Sequence, residues 1–152
     1  MNIRKAKPDD VKLLQNLNDE LFADNSKYDK DLKLDWAQSE VGKKYFAELV
    51  NNKDAICLIA EDNEKPVGYL AAEPKEFSYR NSKYIEIDNM SVSPKFRSKG
   101  VGTKLIEECF RIARERGFER AYVNAYFQNL KAIEFYEKNG FGKIDVSLER
   151  GL

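Results

Sequence analysis

The chain has 152 residues with 26 basic and 26 acidic side chains, so its formal net charge at pH 7 is zero. This balance gives no indication of nucleic-acid binding, and the length predicts one domain over residues 1–152 with an ordinary hydrophobic core. Histidine is absent, which excludes histidine-based triads and the usual zinc enzymes, so we expect no bound metal. No apolar run approaches the length of a membrane span, and the first residues lack a signal-peptide core, so a cytoplasmic protein is expected.

Hydrophobic periodicity predicts ten elements in the order β-α-α-β-β-β-α-β-α-β. In chain order they cover residues 2–6, 8–21, 36–50, 55–60, 66–73, 83–93, 101–116, 120–126, 128–139 and 144–150. Residues 22–35 are predicted to be a loop, and the helix over 36–50 has a predicted apolar face of Val41, Tyr45, Phe46 and Leu49. This order predicts an α/β (α+β) fold, in which about four helices flank a mixed, twisted central sheet of about six strands.

The two cysteines are expected to be buried, reduced thiols. Cys57 lies in an apolar run, and Cys109 lies on the apolar face of the helix predicted over 101–116. Free cysteine behaves as a small apolar residue in such positions, and two of them do not make a metal site.

The strand over 83–93 changes its alternation part-way along. Ile85 and Ile87 mark one apolar face, whereas the next apolar residues, Met90 and Val92, have the opposite parity. One extra residue in the strand produces such a change, so we predict a β-bulge near Asp88–Met90. A bulge leaves backbone groups unpaired by the sheet, and these groups are free to bind a ligand.

Two glycines stand at the start of the helix that follows. Gly100 and Gly102 each cost about 1 kcal/mol there relative to alanine, so we expect a ligand that approaches bare backbone. N–H groups at a helix start have no intrahelical partner and lie at the positive end of the helix dipole, which makes an anion site. Arg97 and Lys99 add positive charge, so we interpret the segment as a pyrophosphate cradle. It completes neither the Rossmann nor the P-loop fingerprint.

A second cluster follows about 30 residues later, on the helix predicted over 128–139. It is Asn129-x-x-Ala132-x-x-Phe135-Tyr136-Glu137-Lys138-x-Gly140-Phe141. It resembles the N-x-x-A-x-x-[FL]-Y-x-K-x-G-F pattern of the GNAT N-acetyltransferase superfamily, and Arg97-x-x-Gly100-x-Gly102 resembles that family's acyl-CoA signature, R/Q-x-x-G-x-G/A. The resemblance covers roughly residues 54–142. It implies a GNAT-like fold, one N-acetyltransferase domain and acetyl-CoA as the acyl donor.

The resemblance also implies roles for individual residues. Backbone groups of Met90 and Val92 would bind the pantetheine arm where the fourth and fifth strands separate, Asn129 would bind the cofactor arm, and Tyr136 would face the thioester sulfur. The residues implied in cofactor binding are Met90, Val92, Arg97, Ser98, Lys99, Gly100, Val101, Gly102, Thr103, Asn129, Ala132 and Tyr136. Family members usually have two strands after the Gly-Phe pair, whereas only 11 residues follow Phe141 here. An exposed sheet edge invites pairing, so a homodimer is plausible.

The implied reaction is direct transfer of an acetyl group to a primary amine in a ternary complex. Because histidine is absent, the base is a carboxylate, an amine, a tyrosine or water. Glu86 and Asp88 share one strand face beside the predicted bulge. Glu86 is preferred, since its spacing before Arg97 matches the glutamate base of histone-acetylating relatives, and Asp88 is close to the acid of polyamine-acetylating relatives. Tyr136 is the expected acid for the leaving thiolate.

The acceptor stays open between small amines, protein N-termini and lysine side chains. The family's acceptor cleft is usually lined by the first two helices and their loop, which carries a mixed set of charges here. Its charged residues are Asp24, Asp29, Asp31 and Asp35 with Lys27, Lys30 and Lys33. Two other functions also stay open, namely a non-catalytic acyl-CoA sensor with the same cradle and a protein-interaction domain in which the glycines are merely structural.

Overall fold

One five-stranded sheet forms the centre of the protein. In this computed structural model, which describes residues 1–152, the strands are β1 (Asn2–Lys5), β2 (Ile56–Asp62), β3 (Lys65–Lys75), β4 (Tyr84–Val92) and β5 (Arg120–Val123). They lie side by side in chain order. The first four are antiparallel to their neighbours, and β5 runs parallel to β4. The mixed α/β sheet predicted from the sequence is therefore confirmed.

Four α-helices cover the two faces of the sheet. They are α1 (Val11–Asn25), α2 (Glu40–Asn51), α3 (Val101–Glu115) and α4 (Leu130–Lys138). Helices α1 and α2 pack on one face around Phe46 and Tyr69, and α3 packs on the other face around Leu105 and Leu70. Alternate residues of β3 and β4 therefore point to different cores. None of the helices is long and apolar enough to cross a membrane.

The predicted bulge in β4 is confirmed by the strand register. Ala71 of β3 pairs with Asn89, whereas the next residue, Ala72, pairs with Ile87. Asp88 is therefore the extra residue, and it has no partner on β3. The inserted residue is what changes the parity of the apolar side chains along β4.

Two predictions for the first helices are wrong in detail. Helix α1 continues to Asn25 instead of ending at residue 21, and the ring of Phe22 stacks on Trp36 at 5.6 Å between centroids. Residues 36–50 do not form one helix, because Ser39 is extended between a short 3₁₀ turn and α2 and caps α2 by accepting from the Gly42 N–H. Val41 then lies in the first turn of α2 and is 66% exposed, so it is not on the apolar face.

The last predicted strand is absent, so the sheet has five strands and not six. Residues 144–150 form no strand, and the apolar side chains of Ile144, Val146 and Leu148 are exposed. An open cavity of about 1220 Å³ separates this segment from β5. Alternating apolar residues favour a strand only where a sheet edge is within hydrogen-bonding distance, and none is here. The outer edge of β5 is consequently unpaired.

Both cysteines are buried and free of disulfides, as predicted. Cys57 lies in the core under α1 and α2, and Cys109 lies in the core under α3. Burial raises the pKa of each thiol to about 12.

Candidate functional site

The loop between β4 and α3 presents a row of free backbone donors. Ser98 and Gly100 both have left-handed backbone conformations, with φ of 60° and 81°. None of the six consecutive N–H groups from Ser98 to Thr103 donates a hydrogen bond to a protein acceptor. Three of these groups open α3, where the helix dipole is positive. The arrangement is suited to a polyanion such as a pyrophosphate.

The two glycines of this loop are needed for different reasons. Gly100 has open space around it, so only its positive φ favours glycine. At Gly102 a Cβ atom would lie 2.9 Å from Cζ of Phe135 and 3.1 Å from Cε of Met90. Gly102 therefore allows α4 and β4 to pack against the start of α3. The sequence predicted only ligand approach at both positions, and the packing role of Gly102 was missed.

The basic side chains beside the loop are held by the protein itself. Arg97 donates from Nε to the Val92 carbonyl at 2.8 Å and forms an ion pair with Asp24 of α1. The Nζ atom of Lys99 lies 5.4 Å from the ring centroid of Phe96. Arg97 thus links α1 to the end of β4, and the Val92 carbonyl already has one hydrogen-bond donor.

Strands β4 and β5 separate next to this loop. Their pairing covers only Tyr84–Ile87 against Arg120–Val123, and β4 continues to Val92 without a β5 neighbour. The backbone of residues 88–92 therefore faces an opening on that side. The bulge at Asp88 begins where the pairing ends.

Helix α4 carries the residues of the second motif. Asn129 caps the helix, because its side chain accepts from the Ala132 N–H at 3.2 Å. Tyr136 packs against Phe135 and Phe141, with ring centroids 5.3 and 5.5 Å apart. Burial raises the pKa of Tyr136 to about 12. Its hydroxyl therefore stays protonated at neutral pH and can act as a donor.

Three carboxylates meet on the face of the sheet that α1 and α2 partly cover. Glu73 of β3 lies directly opposite Glu86 of β4, and Asp88 follows in the bulge. Burial, together with the neighbouring Glu73 and Glu86, raises the pKa of Asp88 to about 8. Glu73 was not predicted from the sequence. The alternation along β3 could have indicated it, because Glu73 lies on the same sheet face as Glu86 and directly opposite it.

A tyrosine from α2 is hydrogen-bonded to this carboxylate cluster. The hydroxyl of Tyr45 lies 3.4 Å from Oδ2 of Asp88 and accepts a hydrogen bond from Nδ2 of Asn89 at 3.0 Å. Burial raises the pKa of Tyr45, so its phenol remains a donor toward Asp88. Asn89 in turn lies next to Asn18 of α1, whose amide donates to Tyr69. Asp88 is thus held by a chain of polar contacts that begins in the core.

The loop between α1 and α2 contacts the segment after β5. The rings of Tyr28 and Tyr126 stack at 6.1 Å, and the Tyr126 hydroxyl donates to Oδ2 of Asp29 at 2.8 Å. Two of the aspartates predicted to lie in this loop are therefore engaged by protein groups, namely Asp24, which lies in α1, and Asp29. The cavity beside β5 is lined by Tyr28, Asp29, Tyr126 and Tyr136, among others. It includes neither the free N–H donors of residues 98–103 nor the carboxylate cluster of Glu73, Glu86 and Asp88. The predicted site residues thus fall into three groups around the β4–β5 separation.

The family model for the acetyltransferase (GNAT) family matches residues 12–141. The chain belongs to the GNAT acetyltransferase family. It is an acyltransferase by family, and its relatives bear names of N-acetyltransferases. The fold predicted from the resemblance is confirmed.

Three proteins illustrate this relationship. An uncharacterized N-acetyltransferase of Archaeoglobus fulgidus is 31% identical over 138 residues, which is 90% of this chain and 89% of the relative. An uncharacterized N-acetyltransferase of Methanocaldococcus jannaschii is 33% identical over 103 residues, or 67% of this chain, and this stretch spans just under half, 46%, of the relative. The crystal structure of a mutant BH1408 protein from Bacillus halodurans has a TM-score of 0.87 and 19% identity, with 100% of this chain and 99% of that chain covered.

Proposed function

We propose that this GNAT protein transfers an acetyl group from acetyl-CoA to a primary amine by direct attack within a ternary complex. The observation that carries the proposal is the row of six free N–H donors from Ser98 to Thr103 beside the separated ends of β4 and β5. Acetyl-CoA supplies an acyl group activated as a thioester and a pyrophosphate for which these donors are suited. In a member of an acetyltransferase family, the two features belong to one substrate.

The residues proposed to bind the cofactor are those implied by the two motifs. Ser98 to Thr103 would hold the pyrophosphate through their backbone. The backbone of Met90 and the remaining hydrogen-bonding capacity of Val92 would bind the pantetheine arm in the β4–β5 opening. Asn129 still has its amide N–H groups to donate, because its capping bond uses only the side-chain oxygen.

We assign the base to Asp88 and not to Glu86, which was preferred from the sequence; Glu73 and Glu86 are the carboxylate neighbours of Asp88. A carboxyl near pKa 4 accepting a proton from an α-amine near 8 faces about 4 units, or about 5 kcal/mol. With the pKa of Asp88 raised to about 8, this difference nearly disappears for an α-amine, and about 2 units remain for a lysine amine near 10.4. The raised pKa of Asp88, and its position in the bulge where the β4–β5 pairing ends, support this residue as the base and support an amine of low basicity as the acceptor.

Tyr136 acts as a hydrogen-bond donor to the leaving sulfur. Its pKa of about 12 lies about 3.5 units above that of a thiol near 8.5, so complete proton transfer would cost about 5 kcal/mol. The hydroxyl therefore shares its proton while charge builds on sulfur, and water completes the protonation. Negative charge on the acyl oxygen would be met by a backbone N–H of the unpaired β4 edge.

An acceptor screen with acetyl-CoA, in which released free thiol is measured, tests the proposal. Thiol release with at least one amine, and CoA binding in calorimetry, are the expected results. CoA binding without thiol release from any amine would indicate an acyl-CoA sensor. Absence of CoA binding would indicate a protein-interaction domain in which the glycines are merely structural.

A further inference from the structure

The face of the sheet that carries the carboxylates also carries a separate group of cations. Lys75 lies one alternate position beyond Glu73 on β3, and Arg120 lies opposite Tyr84 in the β4–β5 register. Arg80, from the turn between β3 and β4, places its guanidinium 4.4 Å from the ring centroid of Phe77. We call Lys75, Arg80 and Arg120 the basic row.

None of these three cations has a carboxylate partner. The ion pairs of the chain involve other basic residues, and the contacts of the basic row are with rings and hydroxyls. Arg80 lies within 5.6 Å of the ring centroids of Phe77, Tyr79 and Tyr84, and the Nε atom of Arg120 donates to Ser82 at 3.3 Å. The aromatic rings hold the Arg80 guanidinium in place without neutralising its charge.

The carboxylates likewise have no cation. Glu73 and Glu86 are directly opposite each other, an arrangement of like charges that destabilises a sheet. If the residues at positions 73 and 75 were exchanged, a lysine would lie opposite Glu86 and the two charges would neutralise each other. The chain keeps its acidic and basic groups apart on one open face, although their totals in the sequence are equal. A ligand with two opposite charges would find a partner for each of them on this face.

We infer that the amine acceptor also carries an oxyanion, which the basic row binds while the amine lies at Asp88 and Glu86. This inference rests on the proposed acetyl transfer and specifies its acceptor. Successive residues on one strand face are about 7 Å apart, so the basic row lies about 7 Å from the level of Glu86 and about 13 Å from that of Asp88. The acceptor therefore has its amine and its oxyanion about 7–13 Å apart, the span of a peptide of two to four residues. A guanidinium fits carboxylate and phosphate oxygens equally well.

Matched peptides test the inference. Triglycine and triglycine amide differ only in the C-terminal charge, and glycyl-O-phosphoserine amide supplies a phosphate in place of the carboxylate. We expect kcat/KM for triglycine to exceed that for its amide by about 10–100-fold, as hydrogen bonds to charged groups would give. A ratio near 1 overturns the inference, and faster reaction of the phosphopeptide identifies phosphate as the oxyanion.

Variants connect the preference to the basic row. In Arg80→Met and, separately, Lys75→Met, the acid-to-amide ratio should fall at least 5-fold, whereas in Lys65→Met, at the exposed start of the same strand, it should be unchanged. Binding of N-acetyl-triglycine and its amide, measured by calorimetry with the CoA-bound protein, should show the same loss of preference. Retained binding of CoA confirms that each variant is folded. An unchanged ratio in both variants overturns the inference. Transfer to glycinamide faster than to triglycine overturns it while leaving the proposed acetyl transfer intact. Absence of transfer to every amine, without CoA binding, refutes both.

Discussion

Replacement of Asp88 by asparagine should lower activity and raise stability at the same time. The folded protein holds the pKa of this carboxyl at about 8, compared with an ordinary value of 3.8. As the pH rises from about 4 to about 8, the unfolded chain loses this proton and the folded chain retains it. The carboxyl therefore destabilises the folded state increasingly across this window and has no such effect below about pH 4.

The size of the stability effect follows from the two pKa values. The difference corresponds to at most about 6 kcal/mol, and solvent screening of this half-buried side chain reduces the expected gain to about 1–3 kcal/mol. Asp88→Asn should thus be about 1–3 kcal/mol more stable than the parent in urea unfolding at pH 8.5 and nearly equal to it at pH 4. The exposed Asp54→Asn variant is the matched control, and it should show no pH-dependent gain.

The same variant should lose the general base. We expect kcat/KM to fall about 10²–10⁴-fold at pH 8. The titration of the acceptor amine is common to both proteins and cancels in the parent-to-variant ratio. This ratio should rise with pH through about pH 8 and level off above it. A pH-independent ratio would refute the assignment of the base. A variant less stable than the parent at pH 8.5 would refute the raised pKa itself.

Four further changes examine the cofactor side of the site. Tyr136→Phe should leave CoA affinity within a few-fold of the parent and lower turnover by about 10²-fold, and full turnover with a saturating acceptor would contradict its role as donor to sulfur. Gly100→Ala should cost about 1–2 kcal/mol in unfolding experiments through backbone strain and weaken CoA binding. Gly102→Val should weaken CoA binding and also destabilise the protein by about 1–3 kcal/mol, because the side chains packed on it must move; equal stability would contradict the packing role. Asp24→Asn should change stability by less than about 1 kcal/mol, since its ion pair with Arg97 is half-exposed, and should strengthen CoA binding in calorimetry by freeing the guanidinium; weaker binding would show that the pair helps to form the cradle.

The features that could be predicted from the sequence are those recorded in side-chain periodicity. The parity change between Ile87 and Met90 located the bulge to the correct residues, because every residue of a strand is forced to one face or the other. The apolar stripe of α3 likewise gave the buried residues Val101, Leu105 and Cys109. The spacing of two motifs identified the family, which the match over residues 12–141 confirms.

The features that were missed depend on contacts between distant parts of the chain. Nothing near Gly102 in the sequence indicates that Phe135 will occupy the space beside it. The ion pair of Arg97 joins it to Asp24, 73 residues earlier. The strand predicted over 144–150 failed for the same reason, since its pattern is that of a strand but its partner edge lies across a cavity. A strand forms only when a second strand lies beside it, and the alternation of residues 144–150 carries no information about that second strand.

The burial of both cysteines means that they do not interfere with an assay for free thiol. The chain contains two cysteines in all, and both are buried with a raised pKa, so neither presents a thiolate to a reagent in solution while the fold is intact. A colorimetric reagent added to the native protein therefore reports only thiol released from CoA. Loss of the fold exposes two thiols per chain, and a burst of that stoichiometry in any variant would distinguish an unfolded protein from an inactive one in the same cuvette.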